Sequence, residues 1–111
     1  MTSSESRINK RIPAKYEIKY VHDGDYLISY SKDLSVDGMF ICTQKPLTVG
    51  ETIKLTFSVG EIGRAEVDSK VIWINTSELE TEAGMGVKFI KTSASLKKAI
   101  LDTIRKIAVL S

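Results

Sequence analysis

Apolar and polar side chains alternate along most of this chain with a period of two residues, which is typical of half-buried β-strands. The segment AKYEIKYV, residues 14 to 21, places Tyr16, Ile18 and Tyr20 on one face and charged side chains on the other. Further strands are predicted at YLISYS, GMFICT, TIKLTFSV, RAEVDSKVIWI and MGVKFI, which are separated by turn segments such as HDGD and QKPLTVGE. The pattern therefore predicts about six short strands.

The period changes near the C-terminus, where Leu96, Ile100, Ile104 and Ile107 recur at helical spacing. We predict an amphipathic helix over about residues 93 to 110, which begins at a serine cap and plugs one mouth of the sheet structure. Strands without intervening helices pair in antiparallel fashion, and closure of the sheet removes exposed edges. The predicted fold is therefore all-β, a six-stranded antiparallel β-barrel with a C-terminal α-helix.

Composition indicates a single domain, because the chain has 111 residues, of which 42% are hydrophobic and 27% charged. It contains no apolar run of roughly 20 residues and its first residues lack an apolar signal region, so we expect a cytoplasmic protein without a membrane span. The net charge is only +2. Residues 1 to 20 and 91 to 111 carry the basic excess, so an anion would be drawn to both ends if they fold near each other.

Catalytic chemistry is the class that the residues support least. The single cysteine, Cys42, excludes an intrachain disulfide and a thiolate metal cage, and we interpret it as a buried structural thiol rather than a nucleophile. We interpret the single histidine, His22, as a solvated loop residue in HDGD rather than a general base. No triad, metal cluster or phosphate-binding glycine loop is visible, so we predict no enzyme activity, no catalytic residue, no metal and no cofactor.

Two short segments suggest a binding site. The segment RINKR places Arg7 and Arg11, two of the four arginines, four positions apart, and the predicted turn KDLSVDGMF contains Asp33, Ser35 and Gly38. An arginine fork matches the O6 and N7 acceptors of guanine, whereas a carboxylate matches its amino edge. Asp, Ser and Gly are also the usual residues of turns, which is the alternative explanation of the second segment.

The combination of R-x-x-x-R with D/N-x-S-x-x-G resembles the PilZ domain, a bacterial receptor for the second messenger cyclic di-GMP. The segments VIWI and GMGVKF are similar to the penultimate and final strands of that family, and the resemblance covers about residues 7 to 92. It implies a flexible N-terminal arm over residues 1 to 12, which carries the arginine motif, and one PilZ-like barrel with its helix over residues 13 to 111.

The resemblance also implies roles for individual residues. Arg7 and Arg11 would clamp guanine and phosphates, Asp33 and Ser35 would read the amino edge of guanine, and Gly38, which is free to take positive φ, would hold the shape of the loop. Two further residues are possible ligand contacts. Lys10 is either a phosphate contact or a solvated lysine, and Trp73 is either a base-stacking residue or a core side chain.

The leading hypothesis is a cyclic di-GMP receptor whose arm closes over the ligand and which then signals to an unidentified protein partner. The ligand binds members of the family as one molecule or as an intercalated pair, and both stay open here. The alternative is an adaptor module that acts through protein contacts alone. DNA and RNA are not expected as partners, because the tyrosines alternate into faces that look buried and the middle of the chain is acidic.

Overall fold

The computed structural model describes residues 11–60, 63–79 and 82–110, which form seven strands and a C-terminal helix. The elements are β1 Ile12–Pro13, β2 Glu17–His22, β3 Asp25–Ser35, β4 Gly38–Cys42, β5 Thr52–Ser58, β6 Arg64–Asn75, β7 Gly84–Lys91 and α1 Ala94–Leu110. No helix in these three segments is long and apolar enough to cross a membrane.

Strands β2 to β7 close into a barrel in which every pairing is antiparallel. The sheet order is β1-β3-β2-β5-β6-β7-β4, and the additional pairing of β3 with β4 closes the ring. The predicted six-stranded barrel with a C-terminal helix is therefore confirmed. Strand β1 is an extra, outer strand that the sequence does not reveal. It pairs Ile12 with Leu34 and Pro13 with Asp33 on β3, so Ile12 is a buried part of the sheet.

The helix covers the core with its apolar stripe and packs against β1 and β3. Leu96, Ile100 and Ile104 are almost completely buried, as the helical spacing predicts. Burial of such side chains contributes roughly 1.5–3 kcal/mol each. The backbone N–H of Leu96 donates to the hydroxyl of Ser93 at 3.1 Å, so Ser93 is the helix cap.

Tyrosines occupy both faces of the β2–β3 hairpin, which corrects the prediction that they mostly face the core. Tyr20 is 3% exposed and Tyr16 is half-buried, but Tyr26 and Tyr30 on β3 point outward and are 62% and 45% exposed. The correction follows from the hairpin register, because β2 and β3 each present alternate residues outward and the β3 tyrosines fall on the outer set.

Two β-bulges turn neighbouring residues toward the outside of the barrel. One lies between Ser31 and Asp33 of β3, and the other lies between Val71 and Trp73 of β6. A bulge inserts one extra residue, so the alternation of side chains shifts by one position. The first bulge places Lys32 and Asp33 on the outer face in succession.

Candidate functional site

Strand β1 brings the second arginine of the R-x-x-x-R segment to the aspartate of the D-x-S-x-x-G segment. Because Pro13 pairs with Asp33, the preceding Arg11 extends along the same edge of β3. The Arg11 guanidinium Nη1 donates to Asp33 Oδ1 at 2.7 Å. The two side chains are 43% and 26% exposed, so they meet at the barrel surface where a ligand has access. An ion pair this exposed contributes only about 0–1 kcal/mol to stability.

The Asp33 carboxylate is also fixed by the backbone. The N–H of Phe40 donates to Asp33 Oδ1 at 3.0 Å, which is the same oxygen that Arg11 contacts. Within the three described segments, no residue donates a hydrogen bond to Asp33 Oδ2. The described residues therefore hold the carboxylate through one oxygen and leave its other oxygen able to accept a bond.

Ser35 is the last residue of β3 and stabilises the turn to β4. It is 3% exposed, and its hydroxyl donates to the carbonyl oxygen of Gly38 at 3.2 Å. In this structure the hydroxyl is used inside the turn rather than presented at the surface. A role of Ser35 as a direct guanine contact stays a prediction, whereas its role in holding the turn is a geometric fact.

Gly38 is required for a reason that the sequence does not reveal. Its φ is not positive, so the freedom of glycine to adopt left-handed backbone is not used here. Strand β7 instead passes so closely that a Cβ atom on Gly38 would overlap the carbonyl oxygen of Val87 and lie 3.2 Å from the Cα of Lys88. Only glycine allows β4 to approach β7 at this point, because any larger residue meets backbone.

An aromatic pair lies beside the turn on the outer face of the barrel. The rings of Phe40 on β4 and Trp73 on β6 are 5.1 Å apart at an angle of 34°. Two glycines of β7 make room for them, because a Cβ on Gly84 would lie 2.7 Å from Phe40 Cζ and one on Gly86 would lie 2.5 Å from Trp73 Cδ1. Trp73 is 46% exposed, so its alternative interpretation as a core side chain is wrong.

Lys32 is a site residue that sequence reasoning missed. Alternation along β3 places Lys32 outward, and the bulge turns Asp33 outward beside it. The Lys32 Nζ lies 5.9 Å from the centroid of the Phe40 ring. Lys32 and Arg11 thus supply positive charge near the aromatic pair. A strict alternation of side chains assigns Asp33 to the inner face, so only the bulge explains why both residues point outward. Arg7 and Lys10, the remaining predicted site residues, lie outside the described residues.

The other candidate chemical groups have structural partners. His22 ends β2, and its Nε2 lies 3.0 Å from Glu51 Oε1, so its interpretation as a solvated loop residue is wrong. Cys42 is half-buried in β4, and burial raises the pKa of its thiol. Within residues 11–60, 63–79 and 82–110, no group of three or more His, Cys, Asp or Glu side chains could hold a metal ion.

Comparison with known proteins gives one family and several similar folds. A family model of the PilZ domain matches residues 5–106. The structure of the inhibitor of motility MotI/DgrA from Bacillus subtilis superimposes with a TM-score of 0.74 at 18% identity, covering 88% of this chain and 49% of that chain. The PilZ domain of YcgR from Escherichia coli, solved with c-di-GMP, gives a TM-score of 0.69 at 21% identity, covering 90% of this chain and 92% of that chain.

A longer YcgR structure from Escherichia coli, also in complex with c-di-GMP, gives a TM-score of 0.73 at 23% identity, and covers 90% of this chain but only 45% of that chain. This chain thus spans about half the length of two of these proteins. Identities at this level show a shared fold. No curated protein sequence matches the chain significantly.

Proposed function

Because this chain belongs to the PilZ domain family, we propose that it is a receptor for cyclic di-GMP that acts in the cytoplasm. The observation that supports this proposal most strongly is the contact of Arg11 with Asp33 at the barrel surface. These residues lie 22 positions apart in sequence, and the pairing of β1 with β3 holds them together at the surface of the barrel. The two groups are therefore close together at one place on the surface, and a base held between them would replace their weak ion pair.

The chemistry of guanine fits the two sides of this pair. Guanine carries N–H donors on its amino edge, and Asp33 Oδ2, which accepts no hydrogen bond from the described residues, would receive them. The Arg11 guanidinium is a planar, forked donor that matches either the O6 and N7 edge or a phosphate group. Arg7 and Lys10 stay predictions as further phosphate or base contacts.

The aromatic pair offers a surface on which a guanine base can stack. Trp73 exposes almost half of its side chain, while Phe40 and the two glycines beneath the rings fix its position. Stacking of a base on an aromatic side chain contributes about 1–3 kcal/mol. We therefore assign Trp73 a stacking role in the proposed site, and we assign Lys32 to the phosphates.

We further propose that ligand binding closes the N-terminal arm over the ligand and changes the surface that a protein partner recognises. Two features support this step. The arginine motif ends at Arg11, directly before β1, so its second arginine lies at the proposed site. An anion that engages both arginines would hold the arm in one place, because each bidentate contact fixes the orientation of its guanidinium. The competing adaptor function requires none of this.

Isothermal titration calorimetry with cyclic di-GMP tests the proposed function. The wild-type protein is expected to bind, and Arg7→Ala and Arg11→Ala are each expected to weaken binding at least about tenfold, or about 1.4 kcal/mol. Arg11→Lys is expected to behave like Arg11→Ala, because an ammonium group lacks the planar fork. Arg64→Ala is the matched control, since Arg64 is 76% exposed on β6 and is expected to leave the affinity unchanged.

Two results would contradict the proposal. No heat of binding with the folded wild-type protein would favour the adaptor function. Equal affinities of wild type, Arg7→Ala and Arg11→Ala would remove the arginine clamp. Circular dichroism spectra of all variants establish that they are folded, and the calorimetric stoichiometry distinguishes one bound molecule from an intercalated pair.

A further inference from the structure

The outer face of the β2–β3 hairpin carries a continuous apolar surface. Val21 on β2 and Tyr26, Ile28 and Tyr30 on β3 point away from the core and are 59%, 62%, 53% and 45% exposed. Val21 and Tyr26 are paired across the two strands, and the β3 residues follow one another at every second position. We call these four residues the hairpin face.

Strand β5 and the first part of β6 show that this exposure is not a general property of the outer surface of the barrel. The outward positions of β5 and of most of β6 are all polar, namely Thr52, Lys54, Thr56 and Ser58 on β5 and Arg64, Glu66, Asp68 and Lys70 on β6. Single exposed apolar residues are ordinary, but a contiguous patch that includes two tyrosines is typical of a protein interface. The hairpin face therefore has the properties of a surface that binds another protein.

A groove runs along one side of the hairpin face, where the barrel is least tightly closed. Strands β2 and β5 share only one aligned residue pair, Lys19 with Thr56, whereas β5 and β6 share seven. The groove has a volume of about 640 Å³, and Val21 and Tyr26 belong to its lining. An extended peptide segment that lies in the groove would therefore also contact the hairpin face.

The charges around the groove indicate the chemistry of the occupant. Its lining contains four basic residues, Lys15, Lys19, Lys54 and Arg64, but only two acidic ones, Glu17 and Glu66. Both acidic residues form loose ion pairs with basic residues of the groove: the Glu17 carboxylate lies 3.6 Å from the Lys19 ammonium, and the Glu66 carboxylate lies 3.7 Å from the Arg64 guanidinium. These exposed pairs are weak and exchange readily with other partners.

We propose that the hairpin face and this groove form a docking surface for a protein partner that presents an acidic, extended segment with aliphatic side chains. The aliphatic side chains pack against Val21 and Tyr26, and the carboxylates pair with Lys15 and Lys54. The surface lies on the same strand as Asp33, three positions beyond Tyr30, so a docked partner sits beside the proposed ligand site. Docking itself does not depend on the proposed ligand.

The proposal is tested by fluorescence anisotropy with a labelled peptide in which glutamate alternates with leucine. The peptide has about twelve residues, so that in extended form it is longer than a typical strand. We expect saturable binding to the wild-type protein, and at least about tenfold weaker binding of a peptide with lysine in place of glutamate. Tyr26→Ser is expected to weaken binding about tenfold or more, since tyrosines are frequent hot spots. Lys54→Glu is expected to weaken it severalfold.

Ile90→Ser is the matched control, because Ile90 is also an outward strand residue, 48% exposed on β7. It is expected to bind the glutamate peptide like the wild type. Equal binding by Tyr26→Ser and the wild type, preference for the lysine peptide, or self-association of the protein that Tyr26→Ser abolishes would each overturn the proposal. Unchanged cyclic di-GMP affinity in Tyr26→Ser separates failure of the docking surface from failure of the proposed receptor function.

Discussion

Replacement of Gly38 by alanine tests whether this position serves the barrel rather than a special backbone conformation. The added Cβ would overlap the carbonyl oxygen of Val87 and would lie 3.1 Å from its carbonyl carbon. The obstacle is backbone on the neighbouring strand, so no side-chain rotation relieves it. Strands β4 and β7 must separate by roughly 1 Å, which is enough to break hydrogen bonds of ordinary length.

The expected loss of folding free energy comes from overpacking and from hydrogen bonds lost where β4 pairs with β7. Overpacking costs about 1–3 kcal/mol, and each hydrogen bond lost contributes about 0.5–1.5 kcal/mol. The expected destabilisation is therefore roughly 3 kcal/mol, which lowers the Tm of a domain this size by about 10–20 °C. A thermal melt followed by circular dichroism measures it.

Gly86→Ala is the matched comparison for Gly38→Ala. Its Cβ would meet the indole of Trp73, which is a half-exposed side chain that can swing outward. We therefore expect a smaller loss of Tm and a red shift of the tryptophan fluorescence. A Gly38→Ala protein that melts within about 3 °C of the wild type would refute the close-approach explanation. A Tm of Gly38→Ala that is no lower than the Tm of Gly86→Ala would refute it as well.

Three further variants test separate parts of the account. Trp73→Ala is expected to weaken cyclic di-GMP binding about tenfold in calorimetry, with little change of Tm, because stacking contributes about 1–3 kcal/mol; unchanged affinity would remove the stacking role. Ser35→Ala is expected to cost about 1 kcal/mol in urea denaturation, because the turn loses a hydrogen bond; an unchanged midpoint would contradict this. The backbone N–H of Thr48, and after it the His22 side chain, lower the pKa of Glu51 from its ordinary value of 4.5. The carboxylate therefore stabilises the fold fully at pH values above 4.5, and this contribution is lost as the pH falls through the lowered pKa. Glu51→Gln is therefore expected to reduce Tm at pH 7 but not at strongly acidic pH, and a constant difference across that range would refute the linkage.

Alternation and helical periodicity were sufficient to predict the barrel and its helix. Residues such as Ile18, Leu55 and Ile100 are fully buried where those periods place them. Strand β1 escaped prediction because it has only two residues, and Pro13 interrupts any regular pattern. Its existence depends on the free edge of β3 beyond the end of β2, which is a tertiary feature.

The candidate site could be predicted in composition but not in arrangement. Motif residues Arg11 and Asp33 are visible in the sequence, yet their contact depends on β1 and on the bulge that turns Asp33 outward. A bulge leaves no clear signal in a single sequence, because its extra residue, Lys32, is an ordinary polar strand residue. The aromatic pair escaped notice because Phe40 lies 33 positions from Trp73, and the rings meet only because both residues pair with Gly86 of β7.

The most direct test of the proposed site is a crystal structure of this protein with cyclic di-GMP bound. The account predicts a guanine whose amino edge donates to Asp33, with the Arg11 guanidinium on the opposite edge of the base or on a phosphate and the Trp73 indole against a ring. A ligand that binds elsewhere, for instance in the groove between β2 and β5, or one that leaves the Asp33 carboxylate without a contact, would contradict it.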